Sequence, residues 1–179
     1  MEKSSKHDET SSNSESRIFV GIDPGLGNTG YGVLEWSNGL VRLKDAGYIQ
    51  TDKKLPMANR LSEIYSGLKE VFEEYKPVSV IIEDLYSHYR HPKTAIIMGH
   101  ARGAVFLCAS TVKIPVISYA ATMIKKSLTG NGRASKHQMQ LMITNKLGLN
   151  EIPEPPDVAD ALAVALCHIN HLNGKSGLV

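Results

Sequence analysis

Arg17-Ile18-Phe19-Val20-Gly21-Ile22-Asp23-Pro24-Gly25 (RIFVGIDPG) is the stretch on which the fold turns. Residues 17–22 make a short, apolar, β-branched run of the kind that forms a buried strand, and Asp23-Pro24-Gly25 stops it at once. Aspartate is disfavoured in strands, and a charge beside a core costs free energy unless something pairs with it. Asp-Pro-Gly is also ordinary turn chemistry. By itself the stretch therefore allows two readings: Asp23 merely opens a turn, or the strand delivers a carboxylate to a chemically active end.

The residues around it favour the second. Residues 30–36 and 40–49 read as an antiparallel hairpin about Ser37-Asn38-Gly39. Leu61, Ile64, Tyr65, Leu68, Val71 and Phe72 then recur at helical spacing and predict a helix from Pro56 to Lys76. Residues 77–82 form another short β-branched run, which again ends in carboxylates, Glu83 and Asp84. With a helix before it, this strand is predicted to join the first in parallel, so both bring acids to the carboxyl ends, where open α/β sheets build their sites.

Further on, residues 85–93 read as a polar, basic loop and Thr94–Ser110 as a helix whose Gly99 and Gly103 permit close backbone approach. Ile114–Tyr119 is a last strand, and a short helix follows from Ala120 to Leu128. Ser135 caps a helix whose Met139, Leu141, Met142, Ile143 and Leu147 are expected to face the core, and a final helix runs from Pro156 to about His171. Asp157 and Asp160 stand three apart near its start, on one side, where the helix dipole favours anions. They could be capping acids alone. Beside an Ala-rich face that lets the helix lie close to a sheet, a pair of ligands is the preferred reading.

Asp23, Glu83, Asp157 and Asp160 gathered at one end would repel one another unless cations lay between them. Oxygen-only ligands suit hard Mg²⁺ or Mn²⁺, and two such ions can activate a water and stabilise a leaving oxygen at phosphorus. The charge distribution points the same way. The net charge of +2 implies no partner, but from Leu85 to Asn150 there is no acidic residue, while Arg90, Lys93, Arg102, Lys113, Lys125, Lys126, Arg133, Lys136 and Lys146 all lie there. One strongly positive face would follow, suited to a polyanion. Metal-dependent hydrolysis of a nucleic-acid phosphodiester accounts for both features.

At 179 residues and 42% hydrophobic content the chain has room for one domain with a real core. Residues 1–16, polar and Ser-rich, are expected to be a disordered tail, 17–171 the domain, and 172–179 a short C-terminal tail. With no apolar run of membrane-spanning length and no secretory pattern at the start, the protein is expected in the cytoplasm, with Cys108 and Cys167 as buried free thiols.

The strand GIDPG with TGYGV behind it, the strand IIED, the segment GHARG, the segment SYAATMIKKSLTGNGRASK and the closing DVADALAVA together resemble the RuvC family of Holliday junction resolvases, in order and spacing, over nearly all of Arg17 to Asn170. The resemblance implies a ribonuclease H-like α/β fold: a mixed five-stranded sheet with helices on both faces. It implies a homodimer that nicks two strands of like polarity symmetrically in four-way junction DNA, with Mg²⁺ as cofactor, Mn²⁺ as a substitute and two ions per site. It leaves room for the RuvA–RuvB branch-migration complex as a further partner. The family's four catalytic acids fall on Asp23, Glu83, Asp157 and Asp160. Its aromatic residue near the junction centre falls on Tyr86, and its DNA-contacting lysines on Lys125 and Lys136, with Lys126 and Arg133 as neighbours of Lys125 in that role. The segment through Gly99 and Gly103 corresponds to the dimer helix.

Other readings are open at this stage. Fold does not fix substrate, so a ribonuclease H-like nuclease acting on RNA is the main alternative. A sugar-kinase or Hsp70-type phosphotransferase shares the Asp-x-Gly element, but the chain lacks a second phosphate loop and the length for two nucleotide-gripping domains. A non-catalytic DNA-binding module would need the basic face but not four converging acids.

Overall fold

The computed structural model of the chain describes residues 16–85 and 92–176. At its centre is β1 (Arg17–Asp23), in which Phe19, Val20, Gly21 and Ile22 are all buried, as a strand covered on both faces requires. β2 (Asn28–Ser37) pairs antiparallel with β1, and β3 (Leu40–Gln50) pairs antiparallel with β2. Asn38 and Gly39 connect β2 to β3 with φ of 53° and 76°, the left-handed pair a two-residue hairpin turn demands.

α1 (Met57–Tyr75) then carries the chain across one face of the sheet and ends where Lys76 turns left-handed before Pro77. β4 (Ser79–Glu83) returns beside β1 in parallel, α2 (Pro92–Thr111) repeats the crossover, and β5 (Val116–Tyr119) lies parallel to β4. The order is β3-β2-β1-β4-β5, the mixed five-stranded sheet that the family resemblance implies. Three helices complete the chain: α3 (Ala121–Thr129), α4 (Lys136–Leu147) and α5 (Pro156–Ser176).

Alternation along β1 divides the core. Val20 and Ile22, with Val33, Val80 and Ile82, face α1 and α2, whereas Phe19, Leu34 and Ile81 face α3, α4 and α5. Each such side chain contributes about 1.5–3 kcal/mol when fully buried. The same alternation puts Gly21 and Asp23 on the α5 side.

Several local expectations need correction. Leu141 is 43% exposed, because Met139, Met142, Ile143 and Leu147 already fill the inward arc of α4 and a residue two positions from Met139 points elsewhere. β5 begins at Val116, after Pro115, which has no N–H to give the ladder. α2 begins at Pro92, where a fixed φ suits a first helical position, and α5 continues to Ser176, with Leu172 still packed against the core. Among the described residues, Gly99 and Gly103 approach no other element: a Cβ at either would meet no atom of one within 4 Å. Cys108 and Cys167 are buried free thiols, and burial pushes the Cys108 thiol up to about 11.

Candidate active site

Asp23 and Glu83 close two neighbouring parallel strands, one residue beyond the Ile22–Ile82 pair. Three glycines bring α5 to them. Gly21 lies opposite Gly32 in the β1–β2 ladder, and Asp23 lies opposite Gly30. A Cβ at Gly21 would meet the carbonyl oxygen of Ala161, one at Gly32 would lie 2.5 Å from Leu162 Cδ2, and one at Gly30 would meet the carbonyl of Asp157. At Gly21 and Gly30 the helix backbone thus rests on the sheet backbone, at Gly32 the Leu162 side chain does, and Ala159, Ala161 and Ala165 keep the inner face otherwise flat. This is why the first turn of α5 arrives beside Asp23.

The turn after Asp23 is also tied down. Thr29 Oγ1 donates to Gly25 O at 2.8 Å, and Leu26 O accepts from both Thr51 Oγ1 and Arg60 Nη2. The turn reading of Asp23-Pro24-Gly25 and the site reading are compatible, since a pinned turn is what holds the carboxylate at the edge.

Asp23, Glu83 and Asp160 line one cleft, together with Lys125, Lys136 and Arg102. Asp157 sits just outside that lining, over Gly30, and acts on Asp23 through its charge. Burial pushes the Asp23 carboxyl up to about 7, and Asp160, Asp157 and Glu83 add to the rise while Lys136 opposes it. Glu83 keeps accessible surface at its strand end, yet its carboxyl reaches into the protein-walled cleft. Desolvation there, then Asp160, raises its pKa, and Lys125 and Arg102 pull against the rise. Lys136 Nζ donates to Asp160 Oδ2 at 2.8 Å, a bond that holds the ammonium above its ordinary pKa.

The donor set is all carboxylate oxygen, which fits a hard divalent cation. Three of the acids raise the proton affinity of Asp23, so a cation in place of that proton would be favoured. Among the described residues no three His, Cys, Asp or Glu side chains stand close enough to hold a metal ion as they lie. The acids share one end of the sheet without being drawn to ligating distance, and it is Lys136 that neutralises Asp160.

The predicted basic residues divide. Lys125 on α3 and Lys136 on α4 reach the cleft. Lys126 is exposed on α3, Arg133 is exposed in the α3–α4 turn, and neither lines it. Tyr86, like His88 and His91, lies outside the described residues. Sequence reasoning missed the part played by Arg102, whose guanidinium contacts both β4 and β5. Its signal was available: a lone arginine in an otherwise apolar helical stretch.

Comparison with known proteins finds relatives over most of the chain. A family model described as "Crossover junction endodeoxyribonuclease RuvC" matches residues 19–168. The chain is 46% identical over 149 residues to a protein of that description from Rhodopirellula baltica, covering 83% of this chain and 84% of the relative. It is 41% identical over 151 residues to one from Desulforamulus reducens, covering 84% and 92%. Its structure resembles that of T. thermophilus RuvC in complex with Holliday junction substrate, with a TM-score of 0.83 and 33% identity over 89% of this chain and 97% of that one.

Proposed function

The chain belongs to the RuvC family of crossover junction endodeoxyribonucleases, and we infer from that membership that it resolves four-way (Holliday) DNA junctions by nicking two strands of like polarity. Hydrolysis in this family is metal-dependent. The alternative of a nuclease directed at RNA is not favoured, because the relatives it matches are crossover junction endodeoxyribonucleases.

In this reading Asp23, Glu83, Asp157 and Asp160 are the catalytic acids that would hold Mg²⁺, or Mn²⁺ in its place, two ions to a site. When bound, the ions supply activation of the attacking water and stabilisation of the leaving oxygen. The observation that carries the assignment is the convergence of Asp23, Glu83 and Asp160 on one cleft at the carboxyl ends of β1 and β4, where burial and the acidic neighbours push the Asp23 carboxyl up to about 7. A carboxyl that keeps its proton towards neutral pH because it is buried and has other carboxylates beside it is one that will exchange the proton for a cation. Lys125 and Lys136 flank the cleft as the phosphate grip, and Lys136 would exchange Asp160 for a substrate phosphate. Lys126 and Arg133 extend the basic surface outward, and Tyr86 would meet the junction centre. The nuclease domain begins at Arg17 and runs to the end of α5.

The dimer assignment has its support on α2. Ile96 is 61% exposed and Leu107 59%, and the open Gly99 and Gly103 lie on the same helix. Such a face, apolar and without bulk at its glycines, suits a second copy of the helix. The RuvA–RuvB complex would present the junction. No described helix is long and apolar enough to cross a membrane, in keeping with action on DNA in the cytoplasm.

The test is cleavage of a synthetic four-way junction, a linear duplex of the same sequence and an RNA–DNA hybrid, side by side in Mg²⁺. Paired symmetric nicks in the junction alone are expected. Equal cutting of the duplex, or preference for the hybrid, overturns the reading.

A further inference from the structure

Two of the candidate acids are held by different means, and the difference points to a residue with no assigned part in the reaction. Asp23 is fixed by its β2 partner, by the pinned turn behind it and by α5 overhead. Glu83 has no such turn behind it, and its strand partner is Tyr119 of β5. It ends β4 with its surface exposed, and Asp84 and Leu85 after it are exposed as well, so among the described residues no core packing covers the chain there. A main-chain bond from Asp84 N to Tyr119 O at 2.9 Å closes the β4–β5 ladder at that end.

Arg102 supplies the rest. Its side chain is 13% exposed. One guanidinium nitrogen, Nη1, donates to the main-chain oxygen of Glu83. The other, Nη2, donates to Ser118 Oγ at 2.8 Å and faces Asp84 Oδ1 at 3.5 Å. The group also lies 5.0 Å from the ring centre of Phe106, one turn further along α2. A planar fork presents fixed donors to a carbonyl on one strand and a hydroxyl on the next, whereas an ammonium on a flexible stem lacks that fixed geometry. Arginine is costly among apolar neighbours, and after Lys93 this is the one Asp, Glu, Lys or Arg in α2.

We propose that Arg102 is a positioning residue: it clamps the ends of β4 and β5 to α2 and so fixes the backbone from which Glu83 enters the cleft. The residue acts through Glu83 and does not touch substrate, since both terminal nitrogens are engaged within the protein. The proposal rests on the metal reading of the four acids. It also means that the helix bearing the candidate dimer face holds a catalytic strand end in place.

The experiment uses the full chain with Arg102→Gln, Arg102→Lys and Ser118→Ala. Mn²⁺ binding is followed by electron paramagnetic resonance without DNA, and junction cleavage is titrated with Mg²⁺. Both Arg102 variants are expected to weaken Mn²⁺ binding, and to raise the Mg²⁺ needed for half-maximal cleavage, by about 10- to 100-fold, the usual cost of losing a partner that orients a ligand. Ser118→Ala should give a smaller shift that does not add to that of Arg102→Gln, since both remove the same tie. Junction affinity in Ca²⁺ and its salt dependence should stay as in the wild type.

Unchanged Mn²⁺ affinity and Mg²⁺ midpoint in the variants, beside a wild type that binds and cuts, overturn the proposal alone. Full recovery by Arg102→Lys would show that a bare charge suffices, and loss of about one unit of salt slope would make Arg102 a phosphate contact; either also overturns it. A wild type that binds no Mn²⁺ and cuts without Mg²⁺ overturns the metal reading, and the proposal with it. Should Arg102→Gln fail to fold, Ser118→Ala, which removes one hydroxyl, carries the same test.

Discussion

Replacing Asp23 with asparagine should make the metal-free protein more stable while abolishing its activity. The carboxyl is pushed from 3.8 up to about 7 by burial and by Asp160, Asp157 and Glu83. A raised carboxyl pKa means that the folded state binds the proton more tightly than the unfolded state. The group therefore costs nothing below pH 4, where both states are protonated, and its penalty grows as pH rises from about 4 to about 7. At roughly 1.4 kcal/mol for each tenfold change in proton affinity, the full penalty above pH 7 is about 4 kcal/mol. Asparagine is neutral throughout and escapes it. For a domain of this size that is a gain in Tm of roughly 10 °C at pH 8. The gain should shrink towards zero near pH 4.

The assay is thermal unfolding of both proteins in EDTA at half-unit steps from pH 4 to 8, with junction cleavage in Mg²⁺ and junction binding in Ca²⁺ measured on the same samples. Cleavage should be lost and binding kept. Parallel melting curves across the whole range would refute the reasoning, because they would show that neither burial nor the neighbouring carboxylates weigh on Asp23. Cleavage at near the wild-type rate would refute the assignment of Asp23 to the reaction.

Gly30→Ala inserts a methyl group against the Asp157 carbonyl and 3.0 Å from Val158 N, so the first turn of α5 must lift. Stability should fall by about 1–3 kcal/mol, and a displacement near 1 Å at Asp157 should cost about 100-fold in cleavage; a wild-type rate would show that the close seat is unimportant for the site. Lys125→Ala and Lys136→Ala should each lower the salt slope of junction binding by about one unit, measured by titration in Ca²⁺, and an unchanged slope removes that lysine from the interface. Ile96→Glu with Leu107→Glu places charges on the apolar face of α2, and sedimentation should show a dimeric wild type become monomeric; a charged variant that stays dimeric locates the interface elsewhere.

The strands and their acids were legible because the code for them is local. β-Branched runs ending in Asp or Glu define β1 and β4, the Asn-Gly turn defines the hairpin, and Ser135 with Gln138 forms a full capping box at α4. Helix α2 was legible as a helix but not in its orientation, since it is apolar on the side that packs against α1 and on the side that faces outward. What could not be read was contact between distant elements. Lys136 and Asp160 lie 24 residues apart on different helices, and nothing in either segment foretells their bond. Spacing put Asp157 and Asp160 on one side of a helix, but only the seating of that helix separates them, with Asp160 in the cleft and Asp157 over Gly30. Arg102 could be counted among the basic residues, whereas its engagement with Glu83 and Ser118 depends on β4 and β5 lying beneath it.

The seat of α5 on Gly30 leaves no side chain between helix and sheet to be trimmed, since a Cβ there would first meet main-chain atoms of Asp157 and Val158. In most cores an enlarged residue can be offset by a smaller neighbour, which is how second-site suppressors arise. Here the neighbours are main-chain atoms, which no substitution can shrink. A genetic screen for revertants of Gly30→Ala should therefore return the original glycine and few compensating changes elsewhere. The end of the sheet that bears the acids would be the least evolvable part of the molecule, even at positions that never meet DNA.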